Sequence, residues 1–222
     1  MAENRGHLLP LYLVVDESAS MEPYIEDVNR ALVSLNDALL ADPMVASKVR
    51  LSALGFSDDV IRYLRLVDMR AELVFPLFTA RATTNYGKLF AYLEAILSED
   101  IGLLRSEGYM IHRPAVFFLT DGLPSDGEAW REPYAHLMSQ KFHPNIVAFG
   151  IGNALSDTIR AIASPLEFGF VSGDVLGVPA AIASFFTSFT ASVVASGRSI
   201  TTAEPGLVIE KPEGFVLAID VI

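Results

Sequence analysis

One segment of this 222-residue chain sets the expected architecture: Leu11-Tyr12-Leu13-Val14-Val15-Asp16-Glu17-Ser18-Ala19-Ser20-Met21. Residues 8–15 carry almost no polar side chain, a pattern that predicts a strand buried on both faces of a parallel sheet. Three oxygen-bearing side chains follow at alternate positions: Asp16, Ser18 and Ser20. Ligands of open α/β sheets bind beside the carboxyl ends of the strands, so these three residues are candidate ligand-binding groups.

The chemistry of these three side chains favours a hard cation. A carboxylate and hydroxyl groups suit Mg²⁺ or Mn²⁺, whereas soft metals prefer thiolates. The same residue types are also favoured where a strand ends and the next helix is capped. The local pattern therefore leaves two interpretations open, a metal site and a helix cap.

Alternating apolar runs and helical periodicities continue along the chain. Residues 49–56 and 60–67 predict a hairpin, and Arg62 and Arg65 make its second strand half-exposed at a sheet edge. Strands at 114–120, 145–151 and 167–171 alternate with predicted helices. This order predicts an α/β fold: a three-layer, doubly wound, mostly parallel sheet with one antiparallel edge strand. We expect one domain over residues 1–198 and a tail over 199–222, with a possible β-hairpin.

Asp-x-Ser-x-Ser after a buried first strand resembles the opening of the metal-ion-dependent adhesion site (MIDAS) of the von Willebrand factor A (VWA) family. That family also uses a threonine on a second loop and an aspartate on a third. Thr84 and Asp121 match them, and the resemblance extends over about residues 8–198. It implies Mg²⁺ or Mn²⁺ bound by five residues: Asp16, Ser18, Ser20, Thr84 and Asp121. It also implies a non-catalytic protein-interaction adaptor whose partner supplies an acidic side chain to the metal.

The second loop leaves one choice open, because Thr83 precedes Thr84. Gly87 favours Thr84, since the family often has glycine three residues after its threonine. The family also often has glycines before the threonine, whereas this chain has Arg81-Ala82 there. The loop before the threonine thus departs from the family pattern.

Two further segments resemble one branch of the family. Residues 119–126 and 191–199 are similar to the stand-alone bacterial VWA proteins of tellurium-resistance operons, the TerY type. The resemblance implies a role in tellurium resistance or stress response, with kinase and phosphatase partners encoded in the same operon.

Composition limits the partners and the compartment. Hydrophobic residues make up 51% of the chain and the net charge is −11, which predicts a globular protein that does not bind nucleic acid or anionic membranes. The chain has no cysteine, which excludes disulfides and fits a cytoplasmic protein. Residues 175–197 are uncharged and long enough to span a bilayer, but their large apolar residues form one helical stripe. We therefore expect a core helix and no membrane partner.

The sequence offers little for an enzyme. Neither a phosphate-binding P-loop nor a dinucleotide-binding glycine motif is present, and Gly55-Phe56-Ser57-Asp58-Asp59 lacks the second glycine of a nucleophile elbow. We expect no catalytic activity. The alternatives are a metal-dependent hydrolase, since bound Mg²⁺ can activate water, and a metal-free scaffold.

Several residues beside the candidate ligands receive structural interpretations. We expect Glu17 to face solvent or the partner. Ser125 and Glu128 have the spacing of a capping box and predict a helix that runs to about residue 141, with Asp126 in its first turn. The tail carries a possible hairpin around residues 211–214, and it either docks on the domain as extra strands, is partly disordered, or adds to a partner's sheet.

Overall fold

The computed structural model describes residues 5–70, 77–173, 176–200 and 206–221. Within these ranges one sheet of eight strands forms the middle layer. Its strands are β1 (His7–Asp16), β2 (Val49–Phe56), β3 (Val60–Asp68), β4 (Met110–Ile111), β5 (Ala115–Thr120), β6 (Asn145–Gly150), β7 (Gly169–Ser172) and β8 (Phe215–Leu217).

Helices cover both faces of this sheet. They are α1 (Ile25–Leu40), α2 (Pro43–Ala46), α3 (Tyr86–Ser106), α4 (Arg131–Ser139), α5 (Ser156–Ile162) and α6 (Val178–Ser199). Short 3₁₀ turns occupy Ala19–Tyr24, Leu166–Phe168 and Ala218–Asp220.

The strand order is β3-β2-β1-β5-β6-β7-β8, and β4 pairs with the start of β1. The strands from β2 to β7 in this order are parallel, whereas β3 and β8 pair antiparallel at the two edges. The predicted fold class is therefore confirmed, and β8 adds a second antiparallel edge strand. In this register Asp16 lies opposite Phe56, and Val15 lies opposite Leu119, one residue before the end of β5.

Alternate residues of β1 pack into two separate cores. Leu11 and Leu13 face α1 and α6, while Tyr12 and Val14 face α3, and all four are at most 1% exposed. Both faces of the strand are therefore buried, as its continuous apolar sequence predicts.

Helix α6 contributes three phenylalanines to the core between the sheet and helices α1 and α6. Phe185 and Phe189 are fully buried, and Phe189 packs on Phe117 of β5 with ring centroids 4.6 Å apart. Among the described residues α6 is the one helix long and apolar enough to cross a bilayer. Its apolar stripe packs against the sheet, which agrees with the predicted core helix.

Two local expectations are wrong. Helix α4 begins at Arg131, and Asp126 instead accepts a hydrogen bond from the backbone N–H of Gly87 (2.8 Å), so it caps α3. The half-exposed edge strand is confirmed in β3, but the side chain of Arg62 within it is only 4% exposed, because its guanidinium pairs with Asp100 of α3 at 2.5 Å. In both cases a partner distant in sequence outweighs the local pattern.

The tail lies against the domain. Residues 206–214 form no helix or strand, and the segment lies alongside α6, with hydrogen bonds from Val208 and Glu210 to serines of that helix. Strand β8 then pairs antiparallel with β7. Docking as an extra strand is thus observed for Phe215–Leu217, whereas residues 207–210 form no hairpin strand. Residues 201–205 lie outside the described ranges, and the division of the chain at residue 198 stays a prediction.

Candidate metal centre

Asp16 is held at the end of β1 by two hydrogen bonds. The hydroxyl of Thr120, the last residue of β5, donates to Asp16 Oδ2 (2.6 Å), and the backbone N–H of Ser18 donates to Oδ1 (2.8 Å). Because β1 and β5 are parallel neighbours, their last residues meet at one edge of the sheet. Sequence reasoning missed Thr120, for which the only signal was its position before Asp121.

Ser18, Ser20 and Asp121 form a continuous hydrogen-bonded chain. The hydroxyl oxygens of Ser18 and Ser20 are 3.0 Å apart, and Ser20 Oγ donates to Asp121 Oδ1 at 2.8 Å. The structure therefore brings four of the five predicted ligands together. Ser18 occupies the cap position of the following 3₁₀ turn, yet its side chain makes no capping hydrogen bond. The helix-cap interpretation thus leaves these hydroxyls unexplained.

Thr84 lies between the loop that follows β1 and the loop that follows β5. The carbonyl of Ala82 accepts a hydrogen bond from Ala19 N–H (3.1 Å), and that of Thr84 accepts one from Ser125 N–H (2.8 Å). Thr84 is 7% exposed, and its hydroxyl makes no hydrogen bond with any described residue.

Thr83 has a different environment. It is exposed, and its hydroxyl donates to the carboxylate of Asp58 in the β2–β3 turn. Of the two candidates, Thr84 therefore has the hydroxyl that is available to a ligand.

The two carboxyl groups of the site are buried without a compensating positive charge. Neither Asp16 nor Asp121 forms an ion pair with a described residue, whereas other buried carboxylates such as Asp100 and Glu17 do. Burial, with a smaller contribution from the charge of Asp121, raises the pKa of Asp16 to about 6 against the opposing hydrogen bonds from Thr120 and Ser18. Burial likewise raises the pKa of Asp121, opposed by Ser20. A bound cation would reverse both effects.

The donor set fits a hard dication. It consists of two carboxylates and three hydroxyls, and the described residues contain no group of three or more His, Cys, Asp or Glu side chains arranged to hold a metal ion. Soft metals lack ligands here, and a calcium cage normally needs more carboxylates. Hydroxyl-rich oxygen ligation suits Mg²⁺ or Mn²⁺.

Glu17 was expected to face solvent or a partner, and this expectation is wrong. Its side chain is fully buried and accepts hydrogen bonds from Tyr63 OH (2.6 Å), Thr79 N–H (3.1 Å) and Arg81 Nε (3.0 Å). Arg81 also pairs with it at 2.8 Å. Burial of this charge is tolerated because Arg81, 64 residues later in the chain, neutralises it.

Ser57 organises the loop that carries Thr84. Its buried hydroxyl donates to the carbonyl of Thr83 (2.7 Å) and accepts from Ala82 N–H (3.1 Å), and its own carbonyl accepts from Asn85 N–H (3.1 Å). The hydroxyl is therefore fully engaged, which argues against Ser57 as a nucleophile. No local pattern around Ser57 indicates this role.

Comparison with known proteins identifies the family. The model of the von Willebrand factor type A domain matches residues 11–175, so the chain belongs to the VWA family. No curated protein matches the chain.

Several solved structures share the fold. The pilus adhesin SpaC of Lactobacillus rhamnosus GG has a TM-score of 0.65 at 13% identity, covering 87% of this chain and 31% of that one. Proximal thread matrix protein 1 of the mussel byssus, with a zinc-occupied MIDAS motif, has a TM-score of 0.62 at 13% identity, covering 86% of this chain and 49% of that one. A von Willebrand factor type A protein from Catenulispora acidiphila has a TM-score of 0.57 at 16% identity, covering 85% of this chain and 43% of that one. This chain thus spans about a third to a half of these relatives.

Proposed function

We propose that this VWA domain is a non-catalytic adaptor that binds a protein partner through a divalent cation. The ligands of Mg²⁺ or Mn²⁺ would be Asp16, Ser18, Ser20, Thr84 and Asp121. The observation that carries the proposal is the hydrogen-bonded cluster at the edge of the sheet, which holds two buried carboxylates without an ion-pair partner among the described residues.

Each residue would have a distinct task at this site. Thr120 and the Ser18 amide orient Asp16, and Ser20 orients Asp121. The hydroxyls would serve as neutral ligands and leave the charge of the ion only partly compensated. Such an ion supplies an electrophilic centre, so that an acidic side chain of the partner protein can complete its ligands.

The relatives add support of two kinds. The MIDAS motif of the mussel protein is zinc-occupied in its structure, which supports a divalent ion at the matching place here. SpaC is a pilus adhesin, which supports a binding role for the fold. Our choice of Mg²⁺ or Mn²⁺ depends on the oxygen-only donor set of this chain.

We also propose a biological setting. The likeness of residues 119–126 and 191–199 to TerY-type proteins supports a cytoplasmic role in tellurium resistance or stress response. A kinase or phosphatase of the same operon would then be the partner. The net charge of −11 makes nucleic acid and anionic membranes poor partners.

Thermal unfolding with and without metal tests the site. An ion that binds only the folded state stabilises it by about 2.7 kcal/mol at one hundred times its Kd, which corresponds to about 5–10 °C in Tm for a chain of this size. We expect this rise with Mg²⁺ or Mn²⁺ for the native protein and none for Asp16→Ala.

Asp37→Ala is the matched control, because Asp37 is exposed on α1 and takes no part in the site. It should retain the full metal-dependent rise. A native protein whose Tm does not respond to either ion, measured also by calorimetric titration, would contradict the proposed metal site.

A further inference from the structure

We propose that Glu17 and Arg81 form a buried clamp that positions Thr84 for the metal ion. The inference rests on the proposed function, because it assigns positioning residues to the same site. Glu17 directly follows Asp16, and Arg81 lies three residues before Thr84. The clamp therefore joins the first and second loops of the site.

The junction is made by backbone as well as side-chain groups. The N–H of Arg81 donates to the Glu17 carbonyl (2.6 Å), and its guanidinium pairs with the Glu17 carboxylate at 2.8 Å. The other carboxylate oxygen accepts from Thr79 N–H (3.1 Å), two residues earlier in the same loop. Glu17 thus holds the Thr84 loop at two points.

Arg81 also connects this junction to the β2–β3 turn. Its guanidinium binds the carboxylate of Asp59 and donates to the carbonyls of Gly55 and Asp59, both at 3.2 Å. The same turn supplies Ser57 and Asp58, which bind Thr83. Three segments that are distant in sequence are therefore fixed around one guanidinium group.

The neighbours of Glu17 leave room for its carboxylate and no more. A Cβ atom on Gly55 would lie 2.2 Å from the carboxyl carbon of Glu17, so any other residue at position 55 would displace it. Tyr63 donates its hydroxyl to Glu17 at 2.6 Å, and burial with the Glu17 contact raises the pKa of Tyr63 to about 12. The phenol therefore remains a donor at neutral pH.

This arrangement has a consequence for the Thr84 loop. The loop has Arg81-Ala82 where VWA sequences often have glycines, so its conformation depends on contacts and not on backbone freedom. A loop already fixed before the ion binds does not have to be ordered by it, and preorganisation of this kind raises affinity. Loss of the clamp should weaken metal binding although neither residue is a ligand.

Glu17→Gln tests the clamp, because glutamine keeps the shape of the side chain and removes its charge. Mn²⁺ alone is the probe, in calorimetric titrations of the full chain. We expect a Kd at least about tenfold weaker, whereas Glu22→Gln, which removes an exposed carboxylate from the adjacent 3₁₀ turn, should leave the Kd unchanged.

Hydrogen exchange separates positioning from general stability. In metal-free Glu17→Gln, amide protection should fall at residues 79–85 and stay native in β5 and β6, and saturating Mn²⁺ should restore it. Thr84→Ala should also weaken Mn²⁺ binding less in the Glu17→Gln background than in the native chain, since the two residues act through one loop. Arg81→Lys keeps the positive charge but loses the forked contacts of the guanidinium. If Glu17→Gln does not fold, the same titrations and exchange measurements are made on Arg81→Lys.

The outcomes distinguish the two proposals. Native Mn²⁺ affinity and native exchange at residues 79–85 in folded Glu17→Gln and Arg81→Lys would overturn the clamp, and the metal site would stand if Asp16→Ala still lost binding. A native protein that binds no Mn²⁺ would overturn both.

Discussion

Thr83 and Thr84 are adjacent in sequence, yet their hydroxyl groups lie in different environments. That of Thr83 is bound to Asp58, while that of Thr84, a residue only 7% exposed, makes no hydrogen bond with the described residues. The sequence could not separate them, because it does not show which way each side chain points. The turn at residues 57–59, which follows β2, makes the difference.

The pair provides a matched test at the scale of one residue. Thr84→Ala should weaken Mn²⁺ binding by about tenfold, roughly 1.4 kcal/mol, because it removes a neutral ligand. Thr83→Ala should leave the Kd within about twofold, since it removes only an exposed contact to Asp58. Calorimetric titration of both variants measures the difference, and the reverse order would assign the ligand to Thr83.

Other residues show where sequence reasoning fails at this scale. Asp16, Ser18 and Ser20 could be identified because they form a local motif directly after a strand. Glu17 lies inside the same motif, and its burial depends on Arg81, which only the folded chain brings near. A charged residue is normally exposed, and nothing within the motif indicates the exception.

At the scale of elements, the buried strands and the starts of α3 and α5 were predictable, whereas the start of α4 was not. Strands β1, β5 and β6 are continuous apolar runs, and their whole length is buried except at the outermost residues. The start of α4 was misplaced because Ser125 and Asp126 bind Thr84 and Gly87 and leave the predicted capping box unused. These two residues instead help to fix the loop of the metal site.

Helix α6 holds the tail through a row of serines. Ser196 exchanges two hydrogen bonds with the backbone of Val208, Ser192 Oγ accepts from Glu210 N–H (2.9 Å), and Ser188 donates to the Glu210 carbonyl. The spacing of four residues places these hydroxyls on one face of the helix. An extended segment without strand partners thereby satisfies its backbone groups.

Ser192→Ala should loosen this contact. It leaves the Glu210 N–H without its acceptor, which should lower the free energy of unfolding by about 1 kcal/mol and speed hydrogen exchange at Glu210. Thr187→Ala is the control, because Thr187 bonds only within α6, to the carbonyl of Ala183. Denaturant unfolding and exchange measure both effects, and equal behaviour of the two variants would refute a specific role for the serine row.

At the scale of the whole molecule, the parallel pairing of the central strands follows from the alternation of strands and helices, whereas the antiparallel pairing of β8 does not. The tail was expected to dock as extra strands, but the strand that Phe215–Leu217 pairs with was not predictable, because its pairing with β7 spans a connection of more than forty residues. The sheet edge that carries the site lies at the ends of β1 and β5. Its position was therefore available from the sequence even though the outer edge of the sheet was not.

The whole arrangement also bears on whether this protein catalyses a reaction. Among the described residues, the groups that hydrogen-bond to the site carboxylates and serines are hydroxyls and backbone amides, and none is His or Lys. The Glu17 carboxylate and the Ser57 hydroxyl, which lie in the loops around the site, are already bound to residues of the second loop. A metal-bound water would thus have no adjacent general base among these residues.

We therefore expect no turnover of phosphate or carboxylate esters by the native protein with saturating Mg²⁺ or Mn²⁺. The measurement is the release of p-nitrophenol from its phosphate and acetate esters, with Asp16→Ala as the control for a trace of contaminating enzyme. Release that exceeds this control and disappears with chelator would favour the metal-dependent hydrolase. A protein that binds Mn²⁺ and turns over neither ester behaves as an adaptor should, because all of the site's own groups are used to hold the ion.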